Sequence, residues 1–507
     1  MKHIIKAIFI LFLPVFLLSC SDSFLDKNDP AKLNSGSFYE TEKQFEQAMN
    51  GVYSQLQEHV RYIWQYAEFI TDNTTLHFNP TDRGQGPGLE AIEYWQINPT
   101  TLEQIGPYNL YKDTYAYLAN INVILSKLKN ANLKDDIKKS VEGQMKFMRA
   151  YYYFQLVQFF GDVIIITEQI TNPDDAWNYG RSPVAEVYNL IDSDLKFAIE
   201  SLPLLSEQAS SDVGRPTKGA ALTLQGRTYL VRKQYAEAIN SFKQVTQQGY
   251  IILPDYAQVF DPVFKNHKES IMDVQFQGGN DLGEYNKFIY QFYPRESYGA
   301  VIPFPGVNGG GWNTPTLDII GDYEEGDIRK DISLKEGYTN NDGEWVPVPY
   351  INKFNHPHTI EGRPDDNWPL MRYAEVLLSL AEAINESEGP TSEAYTYLNQ
   401  IRERAGLAPV SGLTKDAFRK TVLHERRIEL AFENHRWFDL KRTMTGPELV
   451  AFLNAYGREE MKNPTTPERA NAAFAEGDYE FAEYELFLPI PSREIRLNPA
   501  IKQTAGY

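Results

Sequence analysis

Cysteine is almost absent from this 507-residue chain: there is one, Cys20. A lone thiol excludes an internal disulfide framework and a cysteine-ligated metal centre. Positive charge is also short, with 49 Lys and Arg against 68 Asp and Glu and a net charge of −19. Such a surface repels phosphate backbones, which argues against nucleic acid as a partner, and it opposes electrostatic docking on anionic lipid. Beyond residue 19 no run approaches the roughly 20 consecutive apolar residues that a membrane-spanning helix needs.

Complete catalytic signatures are missing as well. His424-Glu425 opens a zincin-like helix, but Ile428 stands where the second metal ligand belongs. Gly214 and Gly219 have P-loop spacing, yet Ala220-Ala221 replaces the Lys and Ser/Thr that hold phosphate and magnesium. Gly309-Gly310-Gly311 runs into Trp312 without a following helix. His356 and His358 could pair on a metal, but they flank Pro357 in a polar loop, which argues against a ligand role. Paired carboxylates are too common in an acidic chain to mark a hydrolase dyad. The expectation is a non-catalytic protein with no cofactor and no metal.

What is present begins at the N-terminus. Lys2 and Lys6 precede an apolar stretch, Ile8–Ser19, too short to cross a bilayer, and polar Ser21-Asp22-Ser23 follows. That order describes a secretory signal peptide over 1–19. Leu17-Leu18-Ser19-Cys20 also resembles a bacterial lipobox, which would make Cys20 the acylated N-terminus of an exported, lipid-anchored protein. Residues 20–40 read as a polar tether and 41–507 as the folded body. Helical periodicity starts near Thr41, and a long loop region is expected from about Thr71 to Pro107. Further helices are expected over 108–129, 136–160, 183–201, 216–232, 234–248, 369–387, 391–405, 414–433 and 435–443. Between them, 250–368 is rich in Gly, Pro, Asn and aromatics, with short strand-like runs such as Ile271–Phe276. The fold class expected is mainly α, with 41–249 and 369–507 as the helical scaffold and 250–368 as an irregular insertion.

A repeat is legible in the scaffold. Gly226 and Tyr229 on one helix, with Tyr235, Ala238 and Phe242 on the next, stand at tetratricopeptide offsets. Small Gly226 and Ala238 let two antiparallel helices approach, and the aromatic rings fill the groove between them. A second pair, 372–386 with 393–405, has the same shape. Stacked pairs of this kind form a helical scaffold that binds rather than catalyses.

Several segments in order resemble one family, the SusD/RagB-type outer-membrane nutrient-binding lipoproteins. They are Arg149–Val157 with Phe160-Gly161-Asp162-Val163, Gly214–Ala221, Asp327-Ile328-Arg329, and Leu370–Leu378 running on to Asn385-Glu386. Glu425–Leu430, Arg436–Arg442, Leu488-Pro489-Ile490-Pro491 and Asn498-Pro499 complete the set. The resemblance implies a right-handed scaffold of tetratricopeptide-like helix pairs, held by lipid on the outer membrane and carrying its ligand face on the loop-rich insertion. It implies a lid over a SusC-type TonB-dependent transporter, capturing glycan, or peptide in the RagB branch, without catalysis. Most motif residues have a structural reading first. Glu425 and Glu429 share a helix face beside Arg426 and Arg427, which suits ion pairs between helices. Arg149, Asp162, Arg372 and Glu375 are expected to do the same, and Trp368 and Trp437 to lie in the core.

A sugar ring offers an apolar face and a rim of hydroxyls, so its receptor needs exposed aromatic planes ringed by amides, carboxylates or guanidinium groups. With 32 Tyr, 28 Phe and 7 Trp, the chain has aromatics to spare for such a surface. Two loop regions combine these groups, one with Asp72, Asn73, Arg83, Trp95 and Asn98, the other with Tyr293, Tyr298 and Trp312. The resemblance implies a shallow site built from both. Trp95, Tyr298 and Trp312 would then stack on ligand, while Asp72, Arg83 and Asn98 would bond hydroxyls. The alternative is that Trp95 or Trp312 packs beneath its own loop. Trp177 and Trp345 are further candidates from other loops. A peptide-binding lid and a purely structural lipoprotein that stacks against a partner stay open at this level.

Overall fold

Threonine starts the helices. Thr41, Thr217, Thr391 and Thr414 each accept a hydrogen bond from a first-turn amide, satisfying donors that the helix itself leaves unpaired. The computed structural model describes residues 38–507 apart from 79, 81–85, 101–106 and 303. The leader, Cys20, most of the tether and Arg83 lie outside the described residues. The helices are α1 (Glu42–Ala67), α2 (Gly86–Glu93), α3 (Pro107–Asn130), α4 (Asp135–Phe160), α5 (Val184–Ser201), α6 (Lys218–Val231) and α7 (Tyr235–Thr246). The insertion adds α8 (Leu317–Asp322) and α9 (Arg329–Ser333). Beyond it come α10 (Tyr373–Glu388), α11 (Ser392–Arg404), α12 (Lys415–Glu429), α13 (Arg436–Thr443), α14 (Gly446–Lys462) and α15 (Ser492–Leu497). The chain is mainly helical, as its periodicity predicts.

The scaffold is a continuous stack in which α1 packs on α3, α3 on α4, α4 on α5, α5 on α6 and α6 on α7. Next in the stack is α10, which packs on α7 across the whole insertion and then carries α11 and α12. The repeat positions act as their chemistry requires. Phe242 is fully buried against Gly226, where a Cβ would overlap its ring, and Ala238 is buried beside it. Full burial of such a ring contributes roughly 1.5–3 kcal/mol.

The described strands form five short antiparallel pairs: β1 (Thr74–Thr75) with β5 (Thr314–Pro315), β2 (Val163–Ile164) with β3 (Arg181–Ser182), β4 (Ser270–Val274) with β10 (Trp368–Arg372), β6 (Leu334–Lys335) with β9 (Tyr350–Ile351), and β7 (Tyr338–Thr339) with β8 (Trp345–Val346). The β4–β10 pair closes the base of the insertion, so residues 275–367 leave the scaffold and return to it side by side.

Two expectations fail here. Residues 71–107 are not simply a long loop, because β1 is buried, pairs with β5, and is followed by α2. The helix α14 was also not anticipated, although Thr445 caps it and Pro447 stands in its first turn.

The family-like charged motifs form a buried ionic lattice that fastens the insertion to the scaffold. Arg329, fully buried, reaches Asp327 (2.7 Å), Glu425 (3.1 Å) and Glu429 (3.2 Å). Arg372 pairs with Glu269, Glu429 and Glu433, while Arg404 pairs with Glu269 and Glu429. Lys353 from the insertion reaches Glu433 at 2.8 Å. Elsewhere Arg149 bonds Asp194 at 2.7 Å, the Asp162 carboxylate accepts from the Val184 amide, and Arg227 grips Glu375. Trp368 and Trp437 are core residues, as expected.

Candidate functional site

Of the residues expected to meet ligand from the first loop region, the structure withdraws two. Asp72 is 2% exposed, with its carboxylate held by Arg436 at 2.6 and 2.8 Å and by Arg427 at 2.9 Å. Burial pushes that carboxyl up, but the two guanidinium groups overcome it and hold it at about 2. Its lone pairs are committed to arginine, so it is a structural anchor rather than a hydroxyl acceptor. Trp95 is 4% exposed and packs edge-on against Tyr479 and Phe481, with its indole N–H donating to the Ile70 carbonyl. It lies beneath its own loop because both its ring and its one donor find partners there. Asn98 is exposed and its side-chain oxygen accepts from the Thr100 amide, a local turn bond. Arg83 lies outside the described residues.

The second region fares differently. Tyr293 is buried under the face and donates to the Phe354 carbonyl. Trp312 is half-buried, stacked on Trp64 with 6.5 Å between ring centroids and 20° between planes. Tyr298 is 53% exposed. Its backbone is left-handed, with φ of 46°, and Gly299 follows at 91°. The Asn308 side chain accepts from the Tyr298 amide, and the Tyr298 carbonyl accepts from the Gly306 amide. A turn bonded on both sides presents the ring to solvent in a fixed pose.

The Tyr298 carbonyl accepts a second bond, from the Asn341 side chain at 2.9 Å, which brings the β7–β8 hairpin alongside. At its tip the Asn340 side chain accepts from the Asp342 and Glu344 amides, and Gly343 takes φ of 84°. This hairpin carries Trp345, 61% exposed and the least buried tryptophan among the described residues. The ring lies against Gly337, where a Cβ would fall 2.6 Å from Trp345 Cζ2, so only glycine leaves room for it. Tyr338 packs beneath, its hydroxyl pushed up by burial and further by Glu296, Glu468 and Tyr298 nearby. Two exposed aromatic planes, Tyr298 and Trp345, thus stand on bonded turns amid exposed Asn308 and Asn341 and half-buried Asn340. The sequence signal for Trp345 was present in Asn340-Asn341-Asp342-Gly343, a turn run that exposes the strand residues after it.

Among the described residues, the histidines and carboxylates singled out for metal binding are engaged in other bonds. His356 bonds Asp366, and His358 bonds Tyr290 and the His356 carbonyl, so the two rings share no ligand position. Glu324, His424 and Glu425 are the one cluster of metal-type ligands among the described residues. There Arg402 sits between the two carboxylates, 2.7 Å from Glu324 and 2.5 Å from Glu425, and supplies the positive charge itself.

Behind β1, Glu93 is buried and accepts from Thr75 and from Tyr479 (2.8 Å). Burial raises its carboxyl to about 8, with those hydroxyls opposing in part. A raised carboxyl stabilises the fold fully below its unfolded value near 4.5, and that contribution is lost as pH rises through about 8. Glu93→Gln, which keeps the acceptor, is expected to match the parent at pH 4.5 in urea unfolding. At pH 9 it should exceed it by on the order of 1–3 kcal/mol, and equal stabilities at both pH values would exclude this linkage.

Comparison with known proteins bears on what such a face is for. The SusD family model matches residues 329–507, and a second model, described as starch-binding associating with outer membrane, matches 23–230. The chain belongs to the SusD/RagB family. A SusD-like protein P2 of Formosa agariphila is 29% identical over 479 residues, 88% of this chain and 91% of that one. A SusD superfamily structure from Parabacteroides distasonis, 26% identical, superposes with a TM-score of 0.74 over 94% of this chain and all of the other. A structure described as a laminarin-binding SusD-like protein has the same fold, at 24% identity and a TM-score of 0.74, over 92% of this chain and all of that one. SusD-family proteins bind and do not catalyse, in agreement with the incomplete catalytic signatures, and they associate with the outer membrane.

Proposed function

We propose that this SusD-family chain captures a glycan at the cell surface and passes it to a SusC-type TonB-dependent transporter. The observation that carries the reading is the pair of solvent-facing rings, Tyr298 and Trp345, fixed on turns joined by the Asn341 bond. Such rings stack on the C–H faces of sugars while neighbouring amides bond hydroxyls. Trp312 and Asn98, half-buried and exposed respectively, are sequence-derived candidates that offer surface to a ligand besides Tyr298 and Trp345. Relatives of the same fold described as laminarin-binding and as surface glycan-binding support the assignment. The transporter partner rests on the family resemblance.

Cys20 would hold the protein on the outer leaflet by its acyl chains. Cys20→Ser protein is expected in the soluble fraction, retarded by polysaccharide in affinity electrophoresis as strongly as the detergent-solubilised parent. Lipid-bound Cys20→Ser material would overturn the anchor. Free migration through every polysaccharide of a broad panel would overturn glycan capture.

A further inference from the structure

The stretches that build the exposed aromatic face contain no cation. From Glu296 to Ile328, and again from Glu336 to Asn352, there is no Lys, Arg or His, while Glu296, Asp318, Asp322, Glu324, Glu325, Asp327, Glu336, Asp342 and Glu344 fall within them. At the hairpin tip Asp342 and Glu344 are exposed, Glu344 directly before Trp345 and Asp342 just ahead of it across Gly343. Glu344 is held in place by the Asn340 side chain at 3.3 Å. The flanking cation Arg295 is engaged with the Gly310 carbonyl through Nε at 2.7 Å. Glu336 is paired to Lys330 away from the tip.

We infer that the Tyr298–Trp345 face selects uncharged glycan, and that Asp342 and Glu344 are specificity-determining residues that reject uronate-bearing or sulfated sugars. This rests on glycan capture as proposed above. A sugar ring stacked on Trp345 places its substituents within a Debye length of both carboxylates, about 8 Å in physiological salt. A carboxylate or sulfate there meets like charge with no compensating cation from the hairpin. At a few ångströms in water each such contact weakens binding by a few-fold, and two act together. The net charge of −19 adds long-range repulsion of the same sign. The aromatic planes supply the attraction and the two acids the discrimination.

The test uses matched probes: soluble starch, laminarin and galactomannan, each with its carboxymethylated derivative, in affinity electrophoresis against the Cys20→Ser protein. At low salt the parent protein is expected to prefer an uncharged polymer over its derivative by roughly ten-fold. Asp342→Asn/Glu344→Gln should retain the uncharged polymer and narrow that preference at least three-fold, as should 0.5 M NaCl with the parent protein. Equal retardation by polymer and derivative, or a preference unmoved by the double substitution, overturns the inference while leaving glycan capture standing. Failure of every uncharged polymer to retard the protein overturns capture and this inference together.

Discussion

Trp345→Ala is expected to weaken glycan retention about thirty-fold, close to abolishing the shift in affinity electrophoresis. A well-placed aromatic anchor contributes on the order of 2 kcal/mol, and each 1.4 kcal/mol is ten-fold in affinity. The ring is 61% exposed, so its removal leaves no cavity and the unfolding free energy should move by only about 0.5 kcal/mol. Trp345→Phe keeps a plane in the same place and should restore most of the binding. Trp177→Ala removes another ring with 46% exposure, carried by a different loop, and should leave retention unchanged. Undiminished retention in a Tyr298→Ala/Trp345→Ala protein would exclude this face as the site.

The second large effect concerns stability. Glu429 is fully buried among Arg372 and Arg404, each 2.5 Å away, and Arg329 at 3.2 Å. Burial pushes its carboxyl up, but the three guanidinium groups outweigh that and hold it far below the usual carboxylate range. Glu429→Gln conserves shape and deletes the charge, leaving those cations under-compensated, and is expected to cost about 3–5 kcal/mol in urea unfolding at pH 7. A depressed carboxyl contributes stability above its unfolded value near 4.5 and loses it as pH falls, so the deficit should shrink below pH 4. The solvent-accessible Lys243–Glu393 pair, at 2.8 Å, is the control, since Glu393→Gln should cost under about 1 kcal/mol. A Glu429→Gln deficit no larger than that of Glu393→Gln would show that the lattice does not fasten the insertion.

The scaffold was legible because its signals are local. Apolar spacing, threonine caps and the small-against-large repeat positions fix most helices to within a few residues. The ion-pair role of Glu425, Glu429, Arg372 and Arg149 was legible as well, since arginine and glutamate in apolar helices have few other uses. The ligand face was only partly so. Trp95 follows a short helix and Trp345 a turn run, but the cover that buries Trp95 comes from Tyr479 and Phe481, hundreds of residues away, which no local pattern announces. Asp72 looked available because its partners, Arg427 and Arg436, belong to the distant α12–α13 region. Burial of a loop residue is set by what the rest of the chain folds over it.

The β4–β10 pair has a consequence for how such proteins diversify. Because residues 275–367 depart and return at adjacent strands, their length is almost invisible to the helical stack, where α7 meets α10 directly. Doubling a loop closed at its base costs only about 0.6 kcal/mol in chain entropy. The exposed turns of that segment around Tyr298 and Trp345, which lie apart from the buried lattice of Arg329 and Lys353, are therefore free to vary, and a new ligand preference can be acquired there while the stack beneath keeps its packing.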